Sequence, residues 1–336
     1  MCNAPKLYGL AASLAFFVSV SCSPGELQRS LVPREVELDV SEQRHALLQW
    51  VDSIGIGAGR AISPIPARQT VGILDGSDAT ILALIDDRLA KIGHKGPGPG
   101  ELERPVMFAT QGEMVAVLDR SGKLVWIDLA SGSAAGQVNV IVSSLYPSLA
   151  ILDDGSVVVP TVRHAGFIGE RLRQDGSSER WGAAPDIQYN EGFTLNMAAR
   201  VGDDIAVMDN FSGRLLIYTP EGIRKDSLSL PGAIRDRIDA GLEEMRAAGT
   251  GVLGNPYVIG MHAFDDDRLF LRLTPLESLP IGLVVHPGRG VEEVIQASRL
   301  REDDQFILRR ARSVILFDET ILALTRNEVY SFPVVE

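Results

Sequence analysis

Short apolar runs alternate with turns rich in Asp and Gly along most of the chain. The clear copies are VMFATQGEMVAVLD (106–119), SLAILDDGSVVVPT (148–161), LNMAARVGDDIAVMD (195–209), GMHAFDDDRLFLRL (260–273) and SVILFDETILALT (313–325), with an earlier copy in VGILDGSDATILALID (71–86). Each sets two runs of strand length on either side of a turn, and so predicts a β-hairpin. A different pattern occupies PGAIRDRIDAGLEEMRAAG (231–249), where Ile234, Ile238, Leu242 and Met245 fall on one helical face and Gly249 supplies a stop. This predicts one helix inserted between hairpins, either lying over the centre of the molecule as a lid or packing on its rim. A second short helix is expected over 41–51, starting at Ser41.

Two copies agree over a longer stretch. AVLDRSGKLVWIDLASG (116–132) and AVMDNFSGRLLIYTPEG (206–222) share Ala-Val, an apolar residue, Asp, then Ser-Gly, a cation and Leu, and they start about 90 residues apart, two units of about 45. The first step, from 71 to 106, is short for four strands, and the later steps are longer. A period near 40–50 residues with several strands per unit is that of propeller blades. A small sheet cannot cover both its faces alone, whereas sheets standing round a common axis cover one another and protect their edges. The expectation is an all-β, six-bladed β-propeller over residues 35–336 with a short helical insertion at 231–249. The last unit lacks a strand, and EVELDV (35–40) is the natural supplier, closing the ring from both ends of the chain.

The stretch 92–132 resembles an NHL-type propeller repeat. Gly98-Pro99-Gly100-Glu101-Leu102, Pro105, Asp119 and Lys123 match that pattern, and Asp209 and Arg214 match it in a second copy. The resemblance implies a ring of the kind found among six-bladed propellers, many of which are bacterial lipoproteins.

The start of the chain points the same way. Lys6 precedes an apolar run from Leu7 to Val20, about 14 residues, where a spanning helix needs about 20. Residues 1–21 therefore read as a signal peptide. The two cysteines are Cys2 and Cys22, so nothing after Cys22 can form an intramolecular disulfide. Ser19-Val20-Ser21-Cys22 resembles the lipobox of bacterial lipoproteins, with Ser19 where Leu is usual. The resemblance implies a lipid on Cys22, a tether over 22–34 and attachment to the membrane of the bacterial cell envelope. Plain secretion with cleavage after Ser21 stays open beside it.

Composition narrows the partners. Of 336 residues, 45% are hydrophobic and 23% charged, which suits a globular chain. Lys and Arg number 32 against 44 Asp and Glu, a net charge of −12, and nucleic acid as a partner is excluded for want of a basic surplus. A monomer is expected.

Catalytic motifs are absent. There is no Gly-x-Ser-x-Gly and no phosphate-cradling loop, and Pro97 and Pro99 remove amide donors from the glycine-rich GHKGPGPGE, which reads as a turn. The five histidines (His45, His94, His164, His262, His286) lack metal-site spacing, although ligands drawn from separate blades would escape that test. Asp153-Asp154, Asp203-Asp204 and Asp265-Asp266-Asp267 sit where hairpin turns favour Asp. No catalytic residue, metal or cofactor is assigned. Arg104, Arg200 and Arg312 flank strands expected to lie nearest the axis, and His262 lies on one. These four are the candidate ligand residues at the channel mouth, since guanidinium groups suit carboxylates or phosphates. The late run Arg299, Arg301, Arg309 and Arg310 has Glu302, Asp303 and Asp304 as neighbours and reads as paired surface charge. The functional expectation is a binding or scaffold module for a protein, peptide or glycan. The alternative is a metal-dependent propeller hydrolase or lyase, lactonase-like, with its site in the central channel.

Overall fold

A computed structural model describes residues 33–38, 56–86, 88–142, 147–161, 166–184, 196–210, 212–247, 257–276 and 279–335. Residues 1–21, expected as a signal peptide, Cys22 and the expected helix at 41–51 lie outside the described residues. Strand β1 is Arg34–Leu38. Four antiparallel four-stranded sheets follow in chain order. The first holds β2 (Gly59–Ile65), β3 (Thr70–Asp75), β4 (Thr80–Ile85) and β5 (Arg88–Ile92). The second holds β6 (Pro105–Gln111), β7 (Met114–Asp119), β8 (Lys123–Asp128) and β9 (Ala134–Asn139). The third holds β10 (Ala150–Ile151), β11 (Val157–Pro160), β12 (Phe167–Leu172) and β13 (Ser178–Ala183). The fourth holds β14 (Met197–Val201), β15 (Asp204–Asp209), β16 (Arg214–Tyr218) and β17 (Arg224–Ser229). The remaining strands are β18 (Val258–Ala263), β19 (Leu269–Leu273), β20 (Gly282–His286), β21 (Gly290–Gln296), β22 (Ser313–Phe317), β23 (Thr320–Leu324) and β24 (Val329–Val335), and they join with β1 into one eight-stranded sheet.

The first strands of these meanders touch in cyclic order, β2 to β6, β10, β14, β18, β22 and back to β2. An axis therefore runs between them, and the fold is a β-propeller. Apolar clusters fill the gaps between successive meanders. Leu74 and Phe108 share one, Trp126 and Val157 the next, and Trp181 and Val207 the third. Met208 and Leu271 share the fourth, Phe270 and Ile321 the fifth, and Ile73 and Leu322 the one that returns to the first sheet. Middle strands such as β3, β11 and β19 are buried on both faces, which is why TVGILD, VVVP and LFLRL read as nearly continuous apolar runs. Outermost strands such as β5 and β17 are largely exposed, and their sequences RLAKI and RKDSLS carry the charge.

Three expectations change in detail. The hairpin 71–86 is β3–β4, the middle of its sheet, whereas the other copies begin on the innermost strand. The missing innermost strand is GRAISPI, whose Gly, Ser and Pro hide its strand character. With β2 in place the innermost strands begin at 59, 105, 150 and 197, and the short first step disappears. The closing segment does join β24, pairing Glu37 with Val335 and Leu38 with Val334. It pairs over a longer stretch, and in parallel, with β21 from Arg34–Glu293 to Glu37–Gln296. Consequently β18–β21 and β22–β24 are one sheet bridged by β1, where separate blades were expected. The inserted helix is α1 (Gly232–Ala247). Its Ile234 and Ile238 are buried against Leu230, Tyr257 and Leu276, and Tyr257 bonds Asp239 at 2.9 Å, so this described part packs on the rim.

A second helix, α2 (Glu302–Arg310), occupies the crossing before β22, where surface charge alone was expected. Acidic residues at its start and Arg309 and Arg310 at its end both favour the helix dipole. Arg301 pairs with Asp304 at 2.9 Å, so part of that charge run is indeed paired.

Candidate functional site

Alternating strand direction gives the ring two rims. The crossings between meanders and the second-to-third-strand turns lie on one, and the first-to-second-strand turns lie on the other. A side chain just before an innermost strand therefore sits on the crossing rim, and one near that strand's end sits on the turn rim.

Asp residues ending the second strands build the crossing rim. The Asp119 carboxylate accepts the backbone N–H groups of Glu103 and Arg104 at 2.8 and 2.9 Å, and that of Ser121 at 2.7 Å. Burial pushes this carboxyl up, but those donors together with the Ser121 hydroxyl outweigh it and hold it below the usual value. Asp75 does the same for Gly57, Ala58 and Ser77. Each Asp pins the incoming crossing to the adjacent turn, and so fixes where the next innermost strand begins. Asp209 contacts Ser212 and Arg214 at the equivalent turn. The glycine-rich segment is a turn, as expected, with Glu101 accepting the Gly98 N–H at 2.8 Å.

On this rim Arg60 is the second residue of β2, Arg104 directly precedes β6, and Arg312 directly precedes β22. A cavity of about 180 Å³ opens along the axis between Arg60 and Arg312. Among the described residues its lining includes Arg60, Ser63, Met107, Met197, Met261, His262, Arg272, Arg312 and Ser313, and no carboxylate. An adjoining cavity shares Arg60 and adds Glu103, Arg104 and Arg120. Glu103 lies 3.4 Å from Lys123, a cation of its own. Arg312 donates to the Gly59 carbonyl at 3.0 Å. Burial, and then the charges of Arg60 and Arg326, hold its guanidinium below its usual value. Arg272 is buried on β19 and donates to the Leu308 and Ala311 carbonyls at 3.2 and 2.9 Å, satisfying groups at the end of α2.

The four expected ligand residues thus divide. Arg104 and Arg312 stand at the crossing-rim mouth. Arg200 does not: it lies near the end of β14, at the other rim, and binds both oxygens of Asp153 at 2.6 and 3.0 Å. Strand direction separates the two, because Arg104 precedes its strand while Arg200 sits two residues before the Gly202 turn, and there Arg200 lines a cavity with His262 and Met261. His262 lies inside, between the two mouths, lining the axial cavity and a smaller one beyond it. Burial pushes its ring down to about 4, and its Nε2 accepts the Leu316 N–H at 3.0 Å, so it is a neutral strut between β18 and β22. Arg60 and Arg272 were missed by sequence, the first with its strand and the second because attention fell on innermost strands.

The acidic hairpins are structural turns. Asp154 accepts the Ser156 N–H at 3.0 Å and pairs with Arg171, and Asp265 binds Arg268. Among the described residues no group of three His, Cys, Asp or Glu is placed to hold a metal ion.

The site lies in a β-propeller, and comparison with solved structures agrees. Virginiamycin B lyase from Staphylococcus aureus is similar in fold at a TM-score of 0.51 and 11% identity, covering 84% of this chain and 97% of that one. A Bacteroides fragilis protein designated as exported is similar at 0.53 and 14% identity, covering 86% and 83%. At such identities the likeness concerns the fold alone. No family model matches the chain, and neither does any curated protein.

Proposed function

We propose that the chain is an exported, lipid-anchored, six-bladed propeller with NHL-like repeats that acts as a binding module for a protein, peptide or glycan at the cell envelope. The blade count takes the eight-stranded sheet as two blades sharing β1, and the cyclic contacts of β2, β6, β10, β14, β18 and β22 support it. Export and the lipid rest on residues 1–21 and Cys22.

The observation that carries the binding reading is the axial cavity, in which Arg60 and Arg312 meet Met107, Met197, Met261 and other mostly apolar residues. Such pockets, mostly apolar with a few convergent polar groups, are the usual ligand sites of proteins. Strand direction adds an orientation. Parallel pairing with β21 makes β1 run away from the turn rim, and Arg34 shares a cavity with Phe264, Arg268 and Glu319 of that rim. A tether over 22–34 would thus reach the turn rim, leaving the arginine mouth facing away from the membrane.

A photo-crosslinking side chain at Ile259, which lines the axial cavity, tests this in the native cells. The expected result is a discrete adduct, absent when the crosslinker is moved to exposed Ile223. No adduct from position 259 would contradict the reading.

A further inference from the structure

We infer that the axial mouth is a carboxylate site that takes the C-terminal residue of a peptide, its α-carboxylate against Arg60 and Arg312 and its apolar side chain on a floor of methionines. This rests on the binding reading just given and names the ligand class for the same cavity.

The chain carries twelve more acids than bases, and several of its described arginines pair with carboxylates, among them Arg171 with Asp154, Arg200 with Asp153, Arg268 with Asp265 and Arg301 with Asp304. The crossing-rim mouth gathers arginines of another kind. Arg60 and Arg312 meet in one cavity with no carboxylate among its described lining residues, Arg104 and Arg120 adjoin through Arg60 in a cavity that also holds Glu103, and Arg326 is close enough to Arg312 to oppose its charge. None of Arg60, Arg104, Arg120 and Arg326 forms an ion pair among the described residues. Like charges gathered in a concave, partly desolvated place repel, and the cost falls when an anion enters. The described acids nearest them are engaged by other donors: Asp119 and Asp75 by backbone N–H groups and Glu103 by Lys123.

Shape then selects among anions. Beside and beyond the arginines the wall is mostly apolar, with Met107, Met197 and Met261 on three different innermost strands and Ser63 and His262 among them. Methionine adapts to irregular apolar groups. A bare inorganic anion makes no use of that floor. Cavities of about 150 Å³ hold a benzene ring, so about 180 Å³ suits a leucine-sized side chain with its carboxylate. Planar guanidinium groups hold carboxylates through paired N–H donors. His262, neutral at the cavity wall, adds no competing charge.

The probe is acetyl-leucine, with acetyl-leucinamide as the uncharged twin and inorganic phosphate and acetate as bare anions, titrated calorimetrically into the purified protein. Saturable binding of acetyl-leucine is expected, weakening as salt rises. The amide, phosphate and acetate should each bind at least tenfold more weakly. Arg60→Gln should lose tenfold or more, as should Arg312→Gln. Because Arg312 also bonds Gly59, Arg60→Gln is the variant of record, with its melting temperature measured beside it. Equal binding of acid and amide would overturn the carboxylate while leaving an axial binding site. Phosphate or acetate binding as tightly as acetyl-leucine would overturn the peptide terminus. No binding of acetyl-leucine by the folded protein would overturn the inference. The Ile259 crosslink decides the binding reading separately.

Discussion

The Nε2 atom of His262 accepts the backbone N–H of Leu316 at 3.0 Å, tying innermost strand β18 to innermost strand β22 inside the ring. That bond needs an unprotonated Nε2. Burial holds the ring's pKa at about 4 in the fold, against 6.5 in an open chain. Between these values the unfolded chain takes up a proton that the native ring refuses. Stability should therefore be complete above about pH 6.5, fall as pH drops, and stop falling on this account near pH 4. The loss is of order 3 kcal/mol. Urea unfolding from pH 7.5 to 4.5 measures it. His262→Gln, which keeps an acceptor without titrating, should flatten the slope.

Asp119 should dominate the crossing rim in its part of the ring. Replacing it with Asn sets an amide where three N–H groups need an acceptor, and the expected cost is about 1–3 kcal/mol at pH 7. Its carboxyl is held below the ordinary value of 3.8. The stabilisation is therefore present above that pH and lost as pH falls through the lower, folded value. Paired urea titrations of wild type and Asp119→Asn should differ at pH 7 and converge well below pH 4. Because the same carboxylate positions the Arg104 backbone, the variant should also alter the shape of the mouth.

Trp126 joins neighbouring sheets by a polar bond within an apolar interface. It is fully buried on β8, and its indole Nε1–H donates at 2.8 Å to the carbonyl of Gly155, in the first turn of the next sheet. Gly155 has φ +77°, a conformation that glycine adopts without strain. Trp126→Phe keeps most of the packing and strands the carbonyl, so about 1–3 kcal/mol should be lost. Gly155→Ala should destabilise through the backbone, by about 1 kcal/mol. Thermal melts of the two variants check both values.

Ring closure should be sensitive to β1. Leu38 is fully buried and Val36 nearly so, within the cluster that holds Phe270, Ile321 and Phe332. Leu38→Ala should cost about 2–5 kcal/mol. Glu35, exposed on the same strand, should accept Ala at little cost. Similar losses at both positions would mean that β1 is not an integral strand.

Much of this architecture was legible because its middle strands are covered on both faces and so keep long apolar runs, while Asp and Gly mark the turns between them. Ile234 and Ile238 announced α1, and EVELDV announced the closing strand. The strand GRAISPI was not legible, since its burial comes from neighbouring sheets rather than from its own composition. Arg60 went unseen with it. In EDDQFILRR, charges at both ends masked a helix whose buried side is little more than Asp304 and Leu308. Arg312 and Arg104 could be placed near the axis from their strands, but Arg200 shows that proximity to a strand is insufficient. Which end of the strand a residue occupies selects the rim, and the adjacent Gly202 turn carried that signal.

Innermost strands converge on a mouth where Arg60 and Arg312 line one cavity with no carboxylate among its described lining residues. Anomalous diffraction from a bromide-soaked crystal tests it most directly. The account predicts an anomalous peak within hydrogen-bonding reach of Arg60 and Arg312. It would be contradicted by those two guanidinium groups paired with Asp or Glu of the chain, with no bromide between them.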